Sequence, residues 1–401
     1  MNKALEGVRI LDFSHLLQGP FATQMLGDMG ADVIKIERVG SGDMFRSMTF
    51  FAKWVGGSES PNFLAWNRNK RSIALNLKSR KVHTIIMDMA RNADVVVQNF
   101  RPGVLAKLGY GYEDFKAVNP RIIYCSGSGY GEEGPYVDRP GQDMLIQGLA
   151  GLISNTGRGD QAPVPAGAGL ADQIGAMNMV YGVLSALYYR EKTGKGQKIE
   201  VNLLAGMLAH LNQEYVAVLN LGEDFVRPNS GIGHPGMQAP FGIYEAADGG
   251  YVSIAMSPFK TLYTVLEAPG LAIYDDLKIL FDKRDEVFEK VNAETKKFST
   301  QALLTRLLAA DIWCAEVKDI RHAAEDPQVT HMGMITSYEH PHGGNVKVVA
   351  PAVRMSETPA RIERPAPLIG QHGREILAEF GLSSDEIAAL EAAGDMTVQE
   401  A

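Results

Sequence analysis

Cysteine and long apolar runs are scarce in this sequence. Only Cys125 and Cys314 occur in 401 residues, outside any Cys-x-x-Cys or Cys/His pattern, which argues against a disulfide framework and a zinc site. His340 and His342 lack a third ligand nearby, so we expect no metal. No stretch approaches the roughly 20 apolar residues of a transmembrane helix, and the first residues hold no long apolar signal segment. We therefore expect a cytoplasmic protein that does not act at a membrane.

An excess of positive charge is also missing. The formal net charge is -8, from 39 Lys and Arg against 47 Asp and Glu, so nucleic acid is not an expected partner. Local basic side chains and backbone amides would have to hold any anionic ligand. With 45% hydrophobic and 21% charged residues, the composition is that of a globular protein with room for two or three domains.

The amino-terminal region has the pattern of a β-α-β unit. Residues 8–13 and 31–37 are typical of buried strands, and Gly19-Pro20 opens a helix that runs to about Met29. The turn after the first strand lacks G-x-G-x-x-G, the pattern that lets a pyrophosphate approach the backbone, so a plain NAD site is disfavoured. The helix N-terminus at Gly19 can still accept an anionic group.

Strand and helix patterns keep alternating through the first half of the chain. This alternation predicts an α/β fold with a largely parallel sheet, whose ligand site lies beyond the carboxyl ends of the strands. The residues that follow those ends are basic, amide-bearing or glycine-rich: Arg38, 99–103 and 126–131. The further strands are predicted at 71–77, 94–98, 121–126 and 198–203.

The pattern changes in the second half. Residues 224–239 are rich in Pro, Asn, Gly and His, which is typical of a domain boundary. Segments 241–244 and 251–255 predict a hairpin, and residues 260–324 are predicted to be helical. The remaining predicted elements are a strand at 347–350 and two helices near 372–380 and 384–392.

One carboxylate lies on a glycine-flanked turn. Asp160 is in the segment TGRGDQAPVP at 156–165, between two apolar helical stretches. A carboxylate can attack a thioester to give a mixed anhydride, which is activated enough to pass the acyl group on. The local sequence by itself favours a turn-capping role, because Gly and Asp are common in loops.

Six segments occur in an order that spans nearly the whole chain. They are LEGVRILDF at 5–13, GADVIKIER at 30–38, NKRSI at 69–73, QNFRPG at 98–103, EKTGKGQ at 191–197 and PLIGQH at 367–372. Together they resemble the class III CoA-transferase family, which contains formyl-CoA transferase and carnitine CoA-transferase and is related to α-methylacyl-CoA racemase. The resemblance is carried by the set of segments, since each alone is weak.

The resemblance implies that Asp160, which follows a Thr-Gly turn, is the nucleophile. The racemase relatives use a histidine and an aspartate as acid and base, at positions that correspond to Gln142 and Asp172. Because glutamine cannot exchange a proton at neutral pH, transfer is favoured over racemisation. Asp143 is the competing nucleophile, and Asp172 is assigned a structural or helix-capping role.

The implied function is transfer of CoA from an acyl-CoA donor, such as succinyl-CoA or another dicarboxylyl-CoA, to a free carboxylic acid. The intermediates would be an aspartyl anhydride and an aspartyl-CoA thioester. Coenzyme A enters as the substrate thioester, and no metal is needed because the aspartate is already ionised. Two alternatives stay open: an acyl-CoA racemase or isomerase, and a protein that binds CoA without turnover.

The resemblance also assigns binding residues. Those for CoA are Gln18, Arg38, Leu75, Lys78, Asn99, Phe100, Arg101, Lys107, Ser128, Gly129, Tyr130 and Gly131. Those for the substrate acids are His15, Leu17, Glu132, Gly231 and Gly233. The last two belong to an interrupted glycine segment, 230–236, which fits either a lid or an interdomain linker. Formyl-CoA transferase has a substrate-contacting glutamine where this chain has Leu17 followed by Gln18, so the resemblance leaves the acids unassigned.

The fold implied by the resemblance is a large Rossmann-like α/β domain with a smaller α+β domain. The large domain is built from both termini, residues 1–215 and 330–401, and the small domain comprises residues 216–329. Family members form interlocked homodimers in which each chain passes through a hole in the other. If this holds here, isolated monomers are not stable.

Overall fold

The computed structural model describes residues 3–399. Its strands are β1 (Arg9–Asp12), β2 (Asp32–Arg38), β3 (Lys70–Leu75), β4 (Val95–Gln98), β5 (Ile123–Ser128), β6 (Lys198–Asn202), β7 (Gly242–Glu245), β8 (Tyr251–Ile254), β9 (Cys314–Glu316), β10 (Ile335–His340), β11 (Gly344–Val349) and β12 (Met396–Thr397). Its α-helices are α1 (Gln18–Asp28), α2 (Pro61–Trp66), α3 (Arg80–Arg91), α4 (Tyr112–Val118), α5 (Asp143–Leu149), α6 (Leu152–Asn155), α7 (Leu170–Thr193), α8 (Leu203–His210), α9 (Asn212–Leu221), α10 (Phe259–Val265), α11 (Leu277–Asp282), α12 (Arg284–Thr295), α13 (Thr300–Ala309), α14 (Ile320–Ala324), α15 (Pro327–Met332), α16 (Gly373–Glu379) and α17 (Ser384–Ala392). Short 3-10 helices lie at Met44–Ser47, Ala106–Leu108 and Pro269–Tyr274.

The chain divides into two compact units. Unit 1 comprises residues 3–146, 169–210 and 327–399, and unit 2 comprises residues 147–168 and 211–326. The sequence places residues 147–168 in the large domain, whereas in the structure they pack with unit 2. Backbone and side-chain hydrogen bonds explain the difference: Gly159 N donates to Pro228 O at 2.8 Å, and the Tyr215 hydroxyl donates to Ala150 O at 3.1 Å.

Unit 1 contains a seven-stranded sheet of order β12-β3-β2-β1-β4-β5-β6. Every pairing in it is parallel except that of the short β12 with β3. The mixed α/β fold with a parallel-dominated sheet confirms the prediction. The central order 3-2-1-4-5-6 reverses direction between β1 and β4, and in doubly wound folds the ligand crevice lies at this point.

Both faces of this sheet are buried. In β4, Val96 packs into a core with α3, α16 and α17, whereas Val95 and Val97 pack into a second core with α1 and α7. Successive side chains of a strand point to opposite faces, so an all-apolar strand is expected only where helices cover both sides. Each such buried side chain contributes about 1.5–3 kcal/mol from the removal of apolar surface from water.

Capping residues set several helix ends. Ser60 accepts a hydrogen bond from Phe63 N at the start of α2, and Ser383 forms a reciprocal capping box with Glu386 at the start of α17. Helix α7 ends at Gly194, whose φ of +73° is the left-handed cap that favours glycine. These caps explain why the helix bounds follow local sequence closely.

Unit 2 has its own core around a three-stranded antiparallel sheet, β7-β8-β9. The rings of Tyr244 on β7 and Phe288 on α12 stack with centroids 4.5 Å apart. The hairpin β7-β8 lies where the sequence predicts it. The prediction of helix throughout 260–324 is wrong at Cys314–Glu316, which pairs with β8 as β9. Within residues 3–399, no helix has the length and apolar character needed to cross a bilayer.

Candidate active site

The carboxyl ends of β1, β4 and β5 and the first turn of α7 surround a cavity of about 400 Å³. It lies where the strand order reverses, as the fold rule predicts. All of its lining residues belong to unit 1. They are His15, Leu16, Leu17, Gln18, Met44, Asn99, Phe100, Arg101, Pro102, Val104, Ser128, Gly129, Tyr130, Gly131, Val137, Arg139, Pro140, Gly141, Gln142, Asp172 and Leu203.

Two fully buried ion pairs lie beneath the β1-α1 turn. Lys70 Nζ is 3.0 Å from Asp12 and Lys35 Nζ is 2.8 Å from Asp43. Burial alone would raise the pKa of Asp12, but the ammonium groups of Lys70 and Lys35 outweigh it and hold that pKa at about 2. Burial lowers the pKa of Lys70 to about 8 against the pull of Asp12. Charges buried this way are tolerated only when they are paired and hydrogen-bonded.

These charges also fix the backbone of the turn. Lys35 Nζ donates to Ser14 O at 2.9 Å, and Leu16 N donates to Asp43 Oδ1 at 3.1 Å. Leu16 has a φ of +66°, a left-handed conformation that non-glycine residues adopt at a cost. The buried pairs therefore hold a strained turn whose residues 15–18 form one wall of the cavity.

The segment after β4 forms the second wall. Asn99 accepts from His15 N at 2.9 Å and donates to His15 O at 2.8 Å, so its amide clamps the two strand ends together. The His15 ring packs on Phe100 with ring centroids 4.6 Å apart. Burial lowers the pKa of His15, which favours the neutral imidazole at neutral pH.

The glycine-rich turn after β5 forms the third wall. A Cβ atom on Gly129 would lie 2.5 Å from the Cα of Gly141, and one on Gly141 would lie 2.4 Å from the Cα of Gly129. Only glycine fits at this crossing of two backbones. Gly131, with φ +103°, continues the turn and donates its N–H to Ser128 Oγ at 3.0 Å. The wall is thus built largely from backbone, which a ligand can approach closely.

Two guanidinium groups, of Arg101 and Arg139, lie at the cavity. Arg139 is also positioned by its neighbour, with Cζ 3.7 Å from the centroid of the Tyr136 ring. Guanidinium groups bind phosphate oxygens through two parallel hydrogen bonds. Two cations beside a backbone wall therefore suit a ligand that carries phosphates, such as CoA.

Asp172 is half-buried in the first turn of α7 and lines the cavity. Burial and then the neighbouring carboxylate of Asp143 raise its pKa to about 7. Asp143 Oδ1 accepts from the N–H groups of Ala171 at 2.7 Å and Asp172 at 3.2 Å, and so caps the helix. The structure thus gives the capping role to Asp143 and leaves the side chain of Asp172 facing the cavity.

Asp160 lies in different surroundings, in unit 2. Its side chain is 46% exposed and forms two hydrogen bonds with the guanidinium of Arg158, each of 3.1 Å. That hydrogen-bonded ion pair lowers the pKa of Asp160, which is ionised at neutral pH. The segment around it is fastened within unit 2, where Arg227 Nη1 donates to Thr156 O at 3.2 Å.

The other predicted site residues fall into two groups. Gln18, Asn99, Phe100, Arg101, Ser128, Gly129, Tyr130 and Gly131 from the CoA set line the cavity, together with His15 and Leu17 from the acid set. The other predicted site residues of unit 1 do not line the cavity. Arg38, Lys78 and Lys107 are exposed, Leu75 is in the core, and Glu132 pairs with Lys198.

The predicted glycine segment 230–236 lies in unit 2 and is partly paired. Ile243 N donates to Gly231 O and Gly233 N donates to Phe241 O, each at 2.9 Å. Ser230 Oγ donates to Asp285 at 2.6 Å. These bonds tie the segment to β7 and α12.

Among residues 3–399, no group of three or more His, Cys, Asp or Glu side chains is placed to hold a metal. In the β10-β11 turn, His340 Nδ1 accepts from the backbone N–H groups of His342 at 3.2 Å and Gly343 at 2.9 Å. His340 is therefore part of the turn structure.

Comparison with known proteins decides the family. The sequence model that describes CoA-transferase family III matches residues 5–373 of this chain. The chain belongs to CoA-transferase family III. This family III CoA-transferase is 36% identical over 383 residues to succinyl-CoA:glutarate CoA-transferase from Homo sapiens, a match that covers 94% of this chain and 86% of the relative. The resemblance predicted from the six sequence segments is confirmed.

Two further relatives extend the comparison. Formyl-CoA:oxalate CoA-transferase from Streptomyces coelicolor is 32% identical over 421 residues, covering 98% of this CoA-transferase and 99% of the relative. A solved CAIB/BAIF family protein from Brucella suis aligns with a TM-score of 0.84 at 31% identity, covering 95% of this chain and 100% of that one. The protein is therefore an enzyme of the CoA-transferase class.

Three polar residues of the cavity in this CoA-transferase are not predicted from the sequence. They are Gln142 and Asp172, which the sequence gives no role in transfer, and Arg139. Each lies on a loop or helix start that reaches the cavity only through tertiary packing. A usable signal existed in the segment RPGQD at 139–143, where a basic residue, an amide and a carboxylate surround a glycine.

Proposed function

We propose that this enzyme moves CoA from an acyl-CoA to a free carboxylate in the cavity of unit 1, with Asp172 as the nucleophile. The observation that carries the proposal is the position of Asp172. Its carboxyl group is half-buried, has a pKa of about 7 and shares a cavity with Arg101 and Arg139. Strongly perturbed titratable groups in a cleft are typical of catalytic sites.

The chemistry needs only the carboxylate of Asp172 and two substrates. One carboxylate oxygen attacks the thioester carbonyl carbon; the C–O bond forms, the C–S bond breaks, and CoA leaves as the thiolate. The thiolate then attacks the aspartyl carbonyl, releasing the donor acid and leaving an aspartyl-CoA thioester. The acceptor carboxylate attacks that thioester to form a second anhydride, and the thiolate takes the new acyl group and frees Asp172.

The environment of Asp172 suits this sequence better than that of Asp160. Partial desolvation makes a carboxylate more basic and keeps water from an anhydride that would otherwise hydrolyse. The exposed ion pair with Arg158 makes Asp160 less basic and gives water free access. We therefore prefer Asp172, and the role of Asp160 stays a prediction that the same experiments test.

Transfer is also preferred over racemisation. Gln142 and Asp172, which occupy the positions of the racemase acid and base, both line the cavity. A glutamine amide cannot exchange a proton at neutral pH, so the cavity offers a single side chain of that pair for proton abstraction. A protein that binds CoA without turnover would not need a partly desolvated carboxylate beside the phosphate-binding groups.

Dicarboxylates are the proposed acids. The human relative is named for succinyl-CoA and glutarate, and the Streptomyces relative for formyl-CoA and oxalate. We infer that succinyl-CoA or another dicarboxylyl-CoA is the donor and a second short carboxylate the acceptor.

We also infer an interlocked homodimer with a Rossmann-like large domain. Exposed apolar side chains on two helices support an interface: Tyr181 on α7 is 64% exposed and Leu219 on α9 is 75% exposed. The 3-2-1-4-5-6 strand order supports the Rossmann-like assignment. Location in the cytoplasm stays a prediction.

The experiment is a transfer assay with matched aspartate variants. The parent, Asp172→Asn and Asp160→Asn are incubated with a panel of acyl-CoAs and free acids, and new CoA esters are identified by mass spectrometry. We expect the parent and Asp160→Asn to transfer CoA and Asp172→Asn to lose at least about 10³-fold in rate. Exchange of the α-hydrogen with deuterium, without new esters, would instead indicate an isomerase.

A further inference from the structure

Gln18 carries an unpaired buried amide. It is the first residue of α1, it is one of the residues that line the cavity, and it is 3% exposed. Its Nε2 atom is buried and has no hydrogen-bond partner among the described residues. Nearly all buried polar atoms in folded proteins are hydrogen-bonded, so an exception in a cavity indicates a partner that binds there.

Two glycines make room for this amide. A Cβ atom on Gly127 would lie 2.7 Å from Gln18 Oε1, and one on Gly175 would lie 2.7 Å from Gln18 Nε2. Gly127 is inside β5 and Gly175 is inside α7, where glycine is unfavourable, and neither has a positive φ that would require it. Space for the Gln18 side chain is a physical reason for both glycines, and at Gly175 a Cβ atom would also lie 2.9 Å from Leu203 Cδ2.

The amide lies on the side of α7 that carries the proposed nucleophile. Gly175 follows Asp172 by three residues on α7, and residues at this spacing share a helix face. Because Gln18 Nε2 lies against Gly175, its N–H groups are on the face of α7 that carries Asp172. Both residues line the same cavity.

We propose that Gln18 Nε2 donates a hydrogen bond to the acyl carbonyl oxygen of the bound thioester. This inference rests on the proposed transfer function with Asp172 as the nucleophile. As an Asp172 oxygen bonds to the acyl carbon, the carbonyl electron pair moves to oxygen, and the amide N–H stabilises that charge. When the C–S bond breaks the carbonyl re-forms and CoA leaves as the thiolate. The amide transfers no proton, and it would act again in the last step, when the thiolate attacks the acyl carbon of the second anhydride.

This role differs from simple contact with CoA, which is what the sequence assigned to Gln18. An oxyanion donor acts mainly in the transition state and therefore changes kcat, whereas a CoA contact changes the affinity for CoA itself. The two roles separate in steady-state kinetics and in direct binding of free CoA.

The test uses Gln18→Met, which keeps a similar length but has no donor. We expect kcat for transfer to fall about 10²-fold, the KM for acyl-CoA to change less than about 3-fold, and the Kd of free CoA to stay within about 2-fold. Gly175→Ala keeps the donor but displaces it, and should lower kcat about 10-fold. Gly182→Ala, on the same helix and away from Gln18, is the matched control and should stay within about 2-fold of the parent.

Two results would overturn the inference. One is a Gln18→Met enzyme with the parent's kcat. The other is a Gln18→Met enzyme whose loss of activity is equalled by an increase in the Kd of free CoA. If Gln18→Met is unfolded by circular dichroism, Gly175→Ala decides, and normal kcat in that variant contradicts the inference. Failure of the proposed function gives different results, since it requires a parent that transfers no acyl group or an active Asp172→Asn.

Discussion

Asp160 and Asp172 lie on the same stretch of chain but in opposite electrostatic environments. Arg158 stabilises the charged form of Asp160, so its pKa falls below the ordinary value. Burial and Asp143 destabilise the charged form of Asp172, so its pKa rises to about 7. Arg158 is only two residues from Asp160, whereas the burial of Asp172 and its proximity to Asp143 depend on residues distant in the chain.

The raised pKa of Asp172 makes a prediction about stability. The ordinary pKa is 3.8 and the folded value is about 7, so between these values the folded state holds a proton that the unfolded state has lost. Stability therefore falls as pH rises through this window. Asp172→Asn should raise the free energy of unfolding by about 1–3 kcal/mol at pH 8 and leave it nearly unchanged at pH 3.5.

Urea unfolding of the parent and Asp172→Asn at the two pH values measures this difference. Asp160→Asn is the control. Because Asp160 is exposed and has a lowered pKa, its replacement should not raise the free energy of unfolding at pH 8. A variant that is no more stable than the parent at pH 8 would show that Asp172 is well solvated.

Arg139 makes a second prediction at this scale. Arg139→Gln should raise the KM for acyl-CoA about 10-fold, because a charge-assisted contact with a phosphate is lost. With an acyl-pantetheine, which has no diphosphate, the variant and parent should have the same KM. Lys78→Gln removes an exposed cation outside the cavity lining and serves as the control. An equal effect of Lys78→Gln would favour the sequence assignment over the cavity.

At the scale of elements, the cap of α7 couples two carboxylates. Asp143→Asn keeps an oxygen that can accept from Ala171 N but removes the negative charge beside Asp172. Burial, the larger cause, remains, so the pKa of Asp172 should fall only in part. The acid limb of the pH profile of kcat/KM, which reports groups in the free enzyme, should move to lower pH. An unmoved limb would mean that another group controls it.

Most elements of the parallel sheet could be predicted from the sequence. Strands β1, β2 and β4 are short apolar runs between turn residues, and α7 has a glycine at each end, so local patterns define them. The sequence does not predict strands β9, β10 and β12, because they are short or partly exposed and lack an apolar run. The position of the cavity followed from a fold rule that needs only the order of strands.

The environment of Asp172 could not be predicted in the same way. Burial and the neighbouring carboxylate of Asp143 raise its pKa, and Asp143 reaches it only because α5 and α7 come together. Gln18 gains its unpaired amide only where Gly127 and Gly175 from distant elements meet. Burial and pairing of this kind are properties of tertiary packing, which neighbouring residues in the chain do not encode.

The proposed interlocked dimer predicts how the protein behaves on dilution. Chains that pass through one another cannot separate as folded monomers, so light scattering should give the dimer mass at every concentration at which circular dichroism reports a folded protein. Loss of dimer should coincide with unfolding in urea. A folded monomer at low concentration would contradict the interlocked arrangement.

The position of the covalent intermediate shows whether Asp172 carries CoA during transfer. The enzyme is mixed with acyl-CoA without an acceptor, quenched in acid and digested with trypsin. Asp160 and Asp172 fall in one tryptic peptide, residues 159–190, so the modified side chain must be assigned by fragment sequencing. We predict a CoA adduct on Asp172 in the parent and in Asp160→Asn. An adduct on Asp160, or one that persists in Asp172→Asn, would show that Asp172 is not the nucleophile.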